Sequence, residues 1–187
     1  MSRIAMLFAS REGQTRKIIE KIQPLLTKAG HQVDLIQIKP EPREINLKQY
    51  DAFFLGCSIR YGKHHRWFCD FVEANADILN KRLCFFFSVN MTARKPNRCE
   101  PYMNPYLVKY LENSCLTPDK VAVFGGALKY SQYNFLETQL IRMIMKLNKG
   151  PTSTESDIEF TDWVKVINFA EDFKLALGKV EPETEVA

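Results

Sequence analysis

Ser10-Arg11-Glu12-Gly13-Gln14-Thr15 is the stretch on which the fold of this chain turns. It follows the apolar run Ile4-Ala5-Met6-Leu7-Phe8 and opens a segment in which Ile18, Ile19, Ile22, Leu25, Leu26 and Ala29 recur on one helical face. The expected order is strand, tight loop, helix. A loop of this kind aims several backbone N–H groups and the positive end of the helix dipole at one point, and the hydroxyls of Ser10 and Thr15 add donors. It suits a phosphate. It has neither the Gly-x-Gly-x-x-Gly of dinucleotide folds nor a Gly-Lys-Ser/Thr element, and no lysine lies inside it, so a single phosphate monoester fits best. The same six residues also read as an ordinary cap and turn, and the rest of the chain must decide between the two.

Outward from the loop, the pattern is regular. A helix is expected over Gln14 to Ala29, bent or short of one hydrogen bond at Pro24 and closed by Gly30. Val33 to Ile38 makes a second strand before the Pro40-Glu41-Pro42 break, and Ala52 to Cys57 a third, continuous in apolar residues as a doubly covered parallel strand must be. Trp67, Phe68, Phe71, Val72 and Leu79 mark a helix, Leu83 to Val89 a fourth strand, Tyr102 to Ser114 a third helix and Val121 to Ala127 a fifth strand. This alternation gives an α/β fold: a doubly wound five-stranded parallel sheet with helices on both faces, whose ligands sit at the carboxyl ends of the strands. From 129 to 156 the rhythm breaks, and Ile158-Glu159-Phe160-Thr161 reads as a short strand resuming, so this segment is expected to be an insertion splitting the last strand. A final helix carries Trp163, Val166, Ile167, Ala170, Phe173 and Leu177 inward, and 179–187 is a polar tail. The whole of 1–187 is expected to be one domain, as its length allows.

Composition narrows the partners. The chain carries 26 Lys plus Arg against 22 Asp plus Glu, a formal +4, which suits acidic small molecules or an anionic membrane surface and falls short of a nucleic-acid binder. Five widely spaced cysteines without a Cys-x-x-Cys pair indicate neither a disulfide framework nor zinc. No signal peptide and no run near the ~20 apolar residues of a membrane span are seen, so a cytoplasmic location with at most peripheral membrane contact is expected. His64-His65 lacks companions at ligand spacing, and no metal is expected.

The loop pattern Ser/Thr-x-x-Gly-x-Thr at Ser10 to Thr15 resembles that of the flavodoxins, which implies FMN as cofactor, with its phosphate held by Ser10, Arg11, Glu12, Gly13, Gln14 and Thr15. Two further loops then face the flavin. In Ser58-Ile59-Arg60-Tyr61-Gly62-Lys63, Tyr61 offers an aromatic face to the ring, Gly62 allows close backbone approach, and Arg60 or Lys63 can stabilise an anionic reduced flavin. In Ser88-Val89-Asn90-Met91-Thr92-Ala93-Arg94-Lys95-Pro96, backbone groups and the Asn90 amide are placed for the other ring edge. Tyr-Gly is also an ordinary turn, and Arg94, Lys95 and Arg98 read either as a carboxylate-binding cluster or as solvated loop charges. His64 is a candidate proton carrier beside the flavin that nothing in the sequence selects.

Within the insertion, Asn134 to Lys149 scores as a helix with Leu136, Leu140, Met143, Ile144 and Leu147 in one arc, widened by Ile141 and Met145, and Arg142, Lys146 and Lys149 opposite. Such a helix suits a lipid interface or capture of an apolar anion, and equally suits packing on the domain or in a homo-oligomer.

Taken together, the phosphate loop, Ser58 to Gly62, Ser88-Val89-Asn90 with Ala93-Arg94-Lys95-Pro96, Gly126-Ala127-Leu128-Lys129-Tyr130, Ile144-Met145-Lys146 and Phe160-Thr161-Asp162-Trp163 are similar to the bacterial flavodoxin-like, quinone-dependent protoporphyrinogen IX dehydrogenases, in order from about residue 3 to residue 178. The resemblance implies FMN-dependent oxidation of protoporphyrinogen IX to protoporphyrin IX in haem synthesis, six electrons passing to ubiquinone or menaquinone at the cytoplasmic face of the inner membrane. It makes Arg94, Lys95, Arg98, Lys129 and Arg142 candidates for the substrate's propionates, and the insertion helix the candidate membrane contact. The alternatives are a soluble flavodoxin-type electron carrier, against which the basic balance argues, and a flavin-free binding module, against which the intact hydroxyl-bearing loop argues.

Overall fold

The computed structural model describes residues 1–41, 44–147, 150–154 and 156–179. In chain order its elements are β1 (Arg3–Ala9), α1 (Gln14–Lys28), β2 (Gln32–Gln37), β3 (Ala52–Arg60), β4 (Lys63–His64), α2 (Arg66–Leu79), β5 (Leu83–Asn90), α3 (Pro105–Glu112), β6 (Lys120–Gly125), β7 (Ala127–Leu128), α4 (Phe135–Leu147), β8 (Ile158–Glu159) and α5 (Trp163–Leu177). Five strands run parallel in the order β2-β1-β3-β5-β6, so the chain reverses its winding beside β1. A crevice opens at such a reversal.

Alternation along the strands divides the core in two. Ile4, Met6, Phe8, Phe54, Phe85 and Phe87 face α1 and α5, while Ala5, Leu7, Phe53, Leu55, Cys84 and Phe86 face α2 and α3. Phe54 lies opposite Met6 and Phe85 in register and sets its ring 5.4 Å from Phe169 and 5.0 Å from Phe173, so the first face is an aromatic stack clamped by α5. Removing such a ring costs about 3–5 kcal/mol. The rigid sheet fixes where β1, β3 and β5 end, and the loops at those ends make the site.

Four expectations change in detail. β3 continues through Ser58-Ile59-Arg60, expected as loop, because Tyr61 and Gly62 at φ 49° and 79° form a two-residue turn and β4 pairs back antiparallel. Both turn residues at positive φ match the twist of a tight hairpin, and Gly62 accepts that conformation freely. The third helix is shorter than Tyr102–Ser114, because Asn104 Oδ1 accepts from the N–H groups of Tyr106 and Leu107 and Pro105 fixes the first turn, so the helix starts there. The resuming strand does not extend the fifth parallel strand: β8 pairs antiparallel with β7 in a ladder of its own, which closes the base of the insertion.

The fourth change concerns α4. Its buried side is Met145 with Ile141, against Leu128, Tyr130, Met91, Tyr133, Ile158 and Phe160. The arc of Leu136, Leu140, Met143, Ile144 and Leu147 faces solvent, with Phe135, Leu136 and Leu147 each at least 75% exposed. The described helix ends at Leu147, so Lys149 of the expected basic stripe lies outside the described residues, as do Pro42 and the tail beyond Lys179.

Candidate functional site: a cleft at the strand ends

The ends of β1, β3, β5 and β6 converge on one cleft. Ser10, Arg11, Glu12 and Gln14 line it from the first loop, Ser58, Ile59 and Arg60 from the end of β3, Val89, Asn90 and Met91 from the end of β5, and Gly126 and Ala127 from the link between β6 and β7. His65, the cap of α2, completes the wall. The sequence pointed to the first three groups; Gly126, Ala127 and His65 as wall residues emerge only when the strand ends are brought together.

The first loop holds unused donors. Thr15 is fully buried and Gln14 nearly so, and Ser10 Oγ, Thr15 Oγ1 and Gln14 Oε1 are buried without hydrogen-bond partners. Leaving a buried polar atom unsatisfied costs about 1–3 kcal/mol, so a cluster of them marks a site completed by a ligand. The two hydroxyls, with the N–H groups at the start of α1, are the donor set for a phosphate monoester.

The loop is stayed from several sides. Glu12 Oε1 accepts from Arg60 Nη1 at 3.3 Å, and Glu12 Oε2 accepts from the Tyr133 hydroxyl at 3.0 Å. Tyr133 in turn accepts from the Lys129 N–H, and burial together with the Glu12 charge raises its phenol. Gln14 Nε2 donates to Thr161 Oγ1 at 2.8 Å, and Thr161 donates to the Gly125 carbonyl at 2.7 Å. Lys17, one turn into α1, pairs with Glu159. Both feet of the insertion are thus bonded to the phosphate loop and the first turns of its helix.

Other expected residues take different posts. The Asn90 amide is engaged within its own loop: its Oδ1 accepts from Thr92 Oγ1, Ala93 N and Asn104 Nδ2, so the side chain folds the segment after β5. Ser88 is buried, its Oγ 2.9 Å from His64 Nε2. Tyr61 stands at the hairpin tip, 68% exposed, with the Arg60 guanidinium 5.0 Å over its ring. Arg94 turns back onto its own loop, donating to the Met91 carbonyl at 2.7 Å, and is half-buried. Lys95 and Arg98 sit half-exposed on the short turns that follow, and Arg142 is exposed on α4. Lys129 is set against the phosphate loop, its Nζ 3.3 Å from the point a Gly13 Cβ would occupy.

The two histidines separate. His64 is buried between Phe86 and Tyr110, and burial lowers its pKa to about 3, so it is a neutral core residue and not a proton carrier at the cleft. His65 faces the cleft with Nε2 3.0 Å from Ser58 Oγ and its ring stacked on Trp67; burial first, then the charges of Arg11 and Arg60, lower its pKa. Among the described residues no group of three or more His, Cys, Asp or Glu side chains is arranged to hold a metal.

A parallel sheet of this order, with an anion-ready loop after β1 and a cleft at the strand ends, agrees with the flavodoxin domain model, which matches residues 5–155. The chain belongs to the flavodoxin-domain family. Its curated relatives are protoporphyrinogen IX dehydrogenases [quinone]: that of Escherichia coli K12 is 40% identical over 167 residues, 89% of this chain and 92% of the relative. That of Leishmania major is 37% identical over 169 residues, 90% of this chain and 73% of the relative. Among solved structures, oxidised Flavodoxin 1 from Bacillus cereus superposes with a TM-score of 0.55 at 18% identity, covering 96% of this chain and all of that one. Fusobacterium nucleatum flavodoxin bound to flavin mononucleotide superposes with a TM-score of 0.50 at 13% identity, covering 96% of this chain and 98% of that one. This flavodoxin-family chain shares its fold with both.

Proposed function

We infer that this protein is an FMN-dependent protoporphyrinogen IX dehydrogenase that passes electrons to a membrane quinone. The observation that carries this is the joint occurrence of near full-length similarity to enzymes of that name and a first loop whose buried hydroxyls await an anion. FMN fits the residues present: Ser10 and Thr15 would donate to its phosphate, and 58–60, 89–91 and Gly126 line the cleft that would take the rest of it. Bound FMN supplies two-electron redox chemistry, and three such rounds account for the six electrons that separate the porphyrinogen from the porphyrin.

The chain's own groups do the placing. Arg60, held by Glu12 and set over Tyr61, puts a fixed positive charge at the cleft, where negative charge gathers on a reduced cofactor. Arg94, Lys95, Arg98 and Arg142 are the cations assigned to the propionates of the substrate, on their charge and their place after β5 and on α4. Helix α4 meets the membrane: its apolar arc faces away from the protein, and Arg142 and Lys146, exposed outside that arc, are the cations it offers to anionic headgroups. No described helix is long and apolar enough to cross a bilayer, so the contact is at the surface.

The test is anaerobic. The FMN-loaded protein is mixed with protoporphyrinogen IX while flavin absorbance and porphyrin fluorescence are followed, and a quinone is then added. Flavin bleaching with porphyrin formation, followed by quinone-dependent recovery, is the expected result. A flavin that stays oxidised with ample substrate overturns the assignment and favours the electron carrier.

A further inference from the structure

The loop Ser10 to Thr15 has no lysine of its own, yet a lysine ammonium reaches it from the start of the insertion. Lys129 leaves β7 at the entry of the insertion, and its Nζ comes within 3.3 Å of the Cβ position of Gly13, the residue that caps α1. Its backbone is pinned there, because its N–H donates to the Tyr133 hydroxyl and that hydroxyl donates to Glu12. Asp157, whose charge lies near Lys129, is engaged by the N–H and hydroxyl of Ser131, and among the described residues Lys129 forms no salt bridge. The orphaned hydroxyl of Thr15, fully buried two residues on from Gly13, independently marks the first loop as a ligand site.

We propose that Lys129 is a phosphate-binding residue of the flavin site, the cation that the first loop lacks, supplied by the insertion. The proposal rests on the FMN reading above and gives its phosphate subsite a definite charge. Arg11 and Arg60 on the cleft wall, with Lys129 set against Gly13, outnumber the single carboxylate of Glu12, a surplus of two positive charges around the first loop for the dianion of a phosphate monoester. A point charge on a long stem suits this place, since the planar fork of an arginine would have to pass the backbone at Gly13. It also removes Lys129 from the cations that meet the substrate. The insertion thereby takes part in holding the cofactor as well as in meeting the membrane.

Full-length protein is titrated with FMN and, separately, with riboflavin, which lacks the phosphate, and binding is followed by quenching of flavin fluorescence. Lys129→Gln is expected to weaken FMN about tenfold to a hundredfold, the worth of one charge-assisted hydrogen bond, and to leave riboflavin unchanged. Lys129→Arg should recover part of the loss, and the salt dependence of FMN binding should be shallower in Lys129→Gln than in the parent. Equal FMN affinity in parent and Lys129→Gln refutes the proposal while leaving the FMN reading intact, and so does an equal loss for both flavins. A parent that binds FMN no more tightly than riboflavin overturns the phosphate reading itself, and the role of Lys129 with it.

Discussion

His64 carries the most exact prediction, because its burial has a calculable consequence in pH. The ring is enclosed by Phe86 and Tyr110, and its one hydrogen-bond partner among the described residues is Ser88 Oγ; burial first, and then the neighbouring His65, lowers its pKa from 6.5 to about 3. The folded state therefore refuses a proton that the unfolded chain takes up between those two values. Stability from this residue is fully present above pH 6.5 and drains away as pH falls below it, since there the unfolded state binds more protons. At pH 5.5 the unfolded histidine is about ten-to-one protonated while the folded one stays neutral, so the loss from pH 7.5 is about 1.4 kcal/mol. That figure depends almost wholly on the unfolded value, because pH 5.5 lies far above the folded one. His31 and His65 are shifted in the same direction and add to the slope, so the measurement must be a difference. Urea unfolding of the parent and of His64→Gln, at pH 7.5 and pH 5.5 and at equal FMN concentration, isolates it. The variant is less stable at pH 7.5, and its loss on acidification should be smaller than the parent's by about 1.4 kcal/mol. Parallel losses in the two proteins would show that the ring titrates normally and is not enclosed.

Further outcomes follow from the site and the insertion. Thr15→Val, which replaces a buried and unpartnered hydroxyl by a methyl, should leave thermal stability without FMN within about 0.5 kcal/mol or raise it, and weaken FMN about tenfold, read by the same fluorescence titration. Gly125→Ala should lose about 2–3 kcal/mol in urea unfolding, because the added methyl would collide with the Phe160 carbonyl and push the segment after β8 away from Gly125. Tyr133→Phe should weaken FMN a few-fold by releasing Glu12 toward the phosphate, and the second change Glu12→Gln should erase that effect; additive losses would refute the coupling. Leu136→Gln with Leu147→Gln should reduce co-sedimentation with anionic vesicles at least tenfold with the unfolding midpoint unchanged, whereas an unfolding midpoint lowered by several degrees would assign those side chains to packing.

Much of this was legible in the sequence for physical reasons, and the exceptions have reasons too. The buried strands declared themselves as unbroken apolar runs, and the first loop by hydroxyls set around Gly13 at the start of an amphipathic helix. The extension of β3 was hidden because Ser58 and Arg60 are polar and Tyr61 adopts a positive φ that no residue preference announces. The periodicity of α4 gave its apolar arc correctly but had no means of telling which side would touch the domain; the narrow Ile141 and Met145 side does. Asn90 looked like a ligand group because its chief partner, Asn104, arrives only when the chain after β5 folds back. Lys129 was read by charge alone, and its nearness to Gly13 is a property of topology.

The stays on the phosphate loop have an order in time. Ser10 to Thr15 are made well before Tyr133, Glu159 and Thr161, which hold Glu12, Lys17 and Gln14. A nascent chain therefore carries its cofactor loop without the groups that fix it until the insertion and its return have been made, and flavin capture waits for them. Ribosome-bound chains arrested before α4 should retain no FMN, while chains released after α5 should.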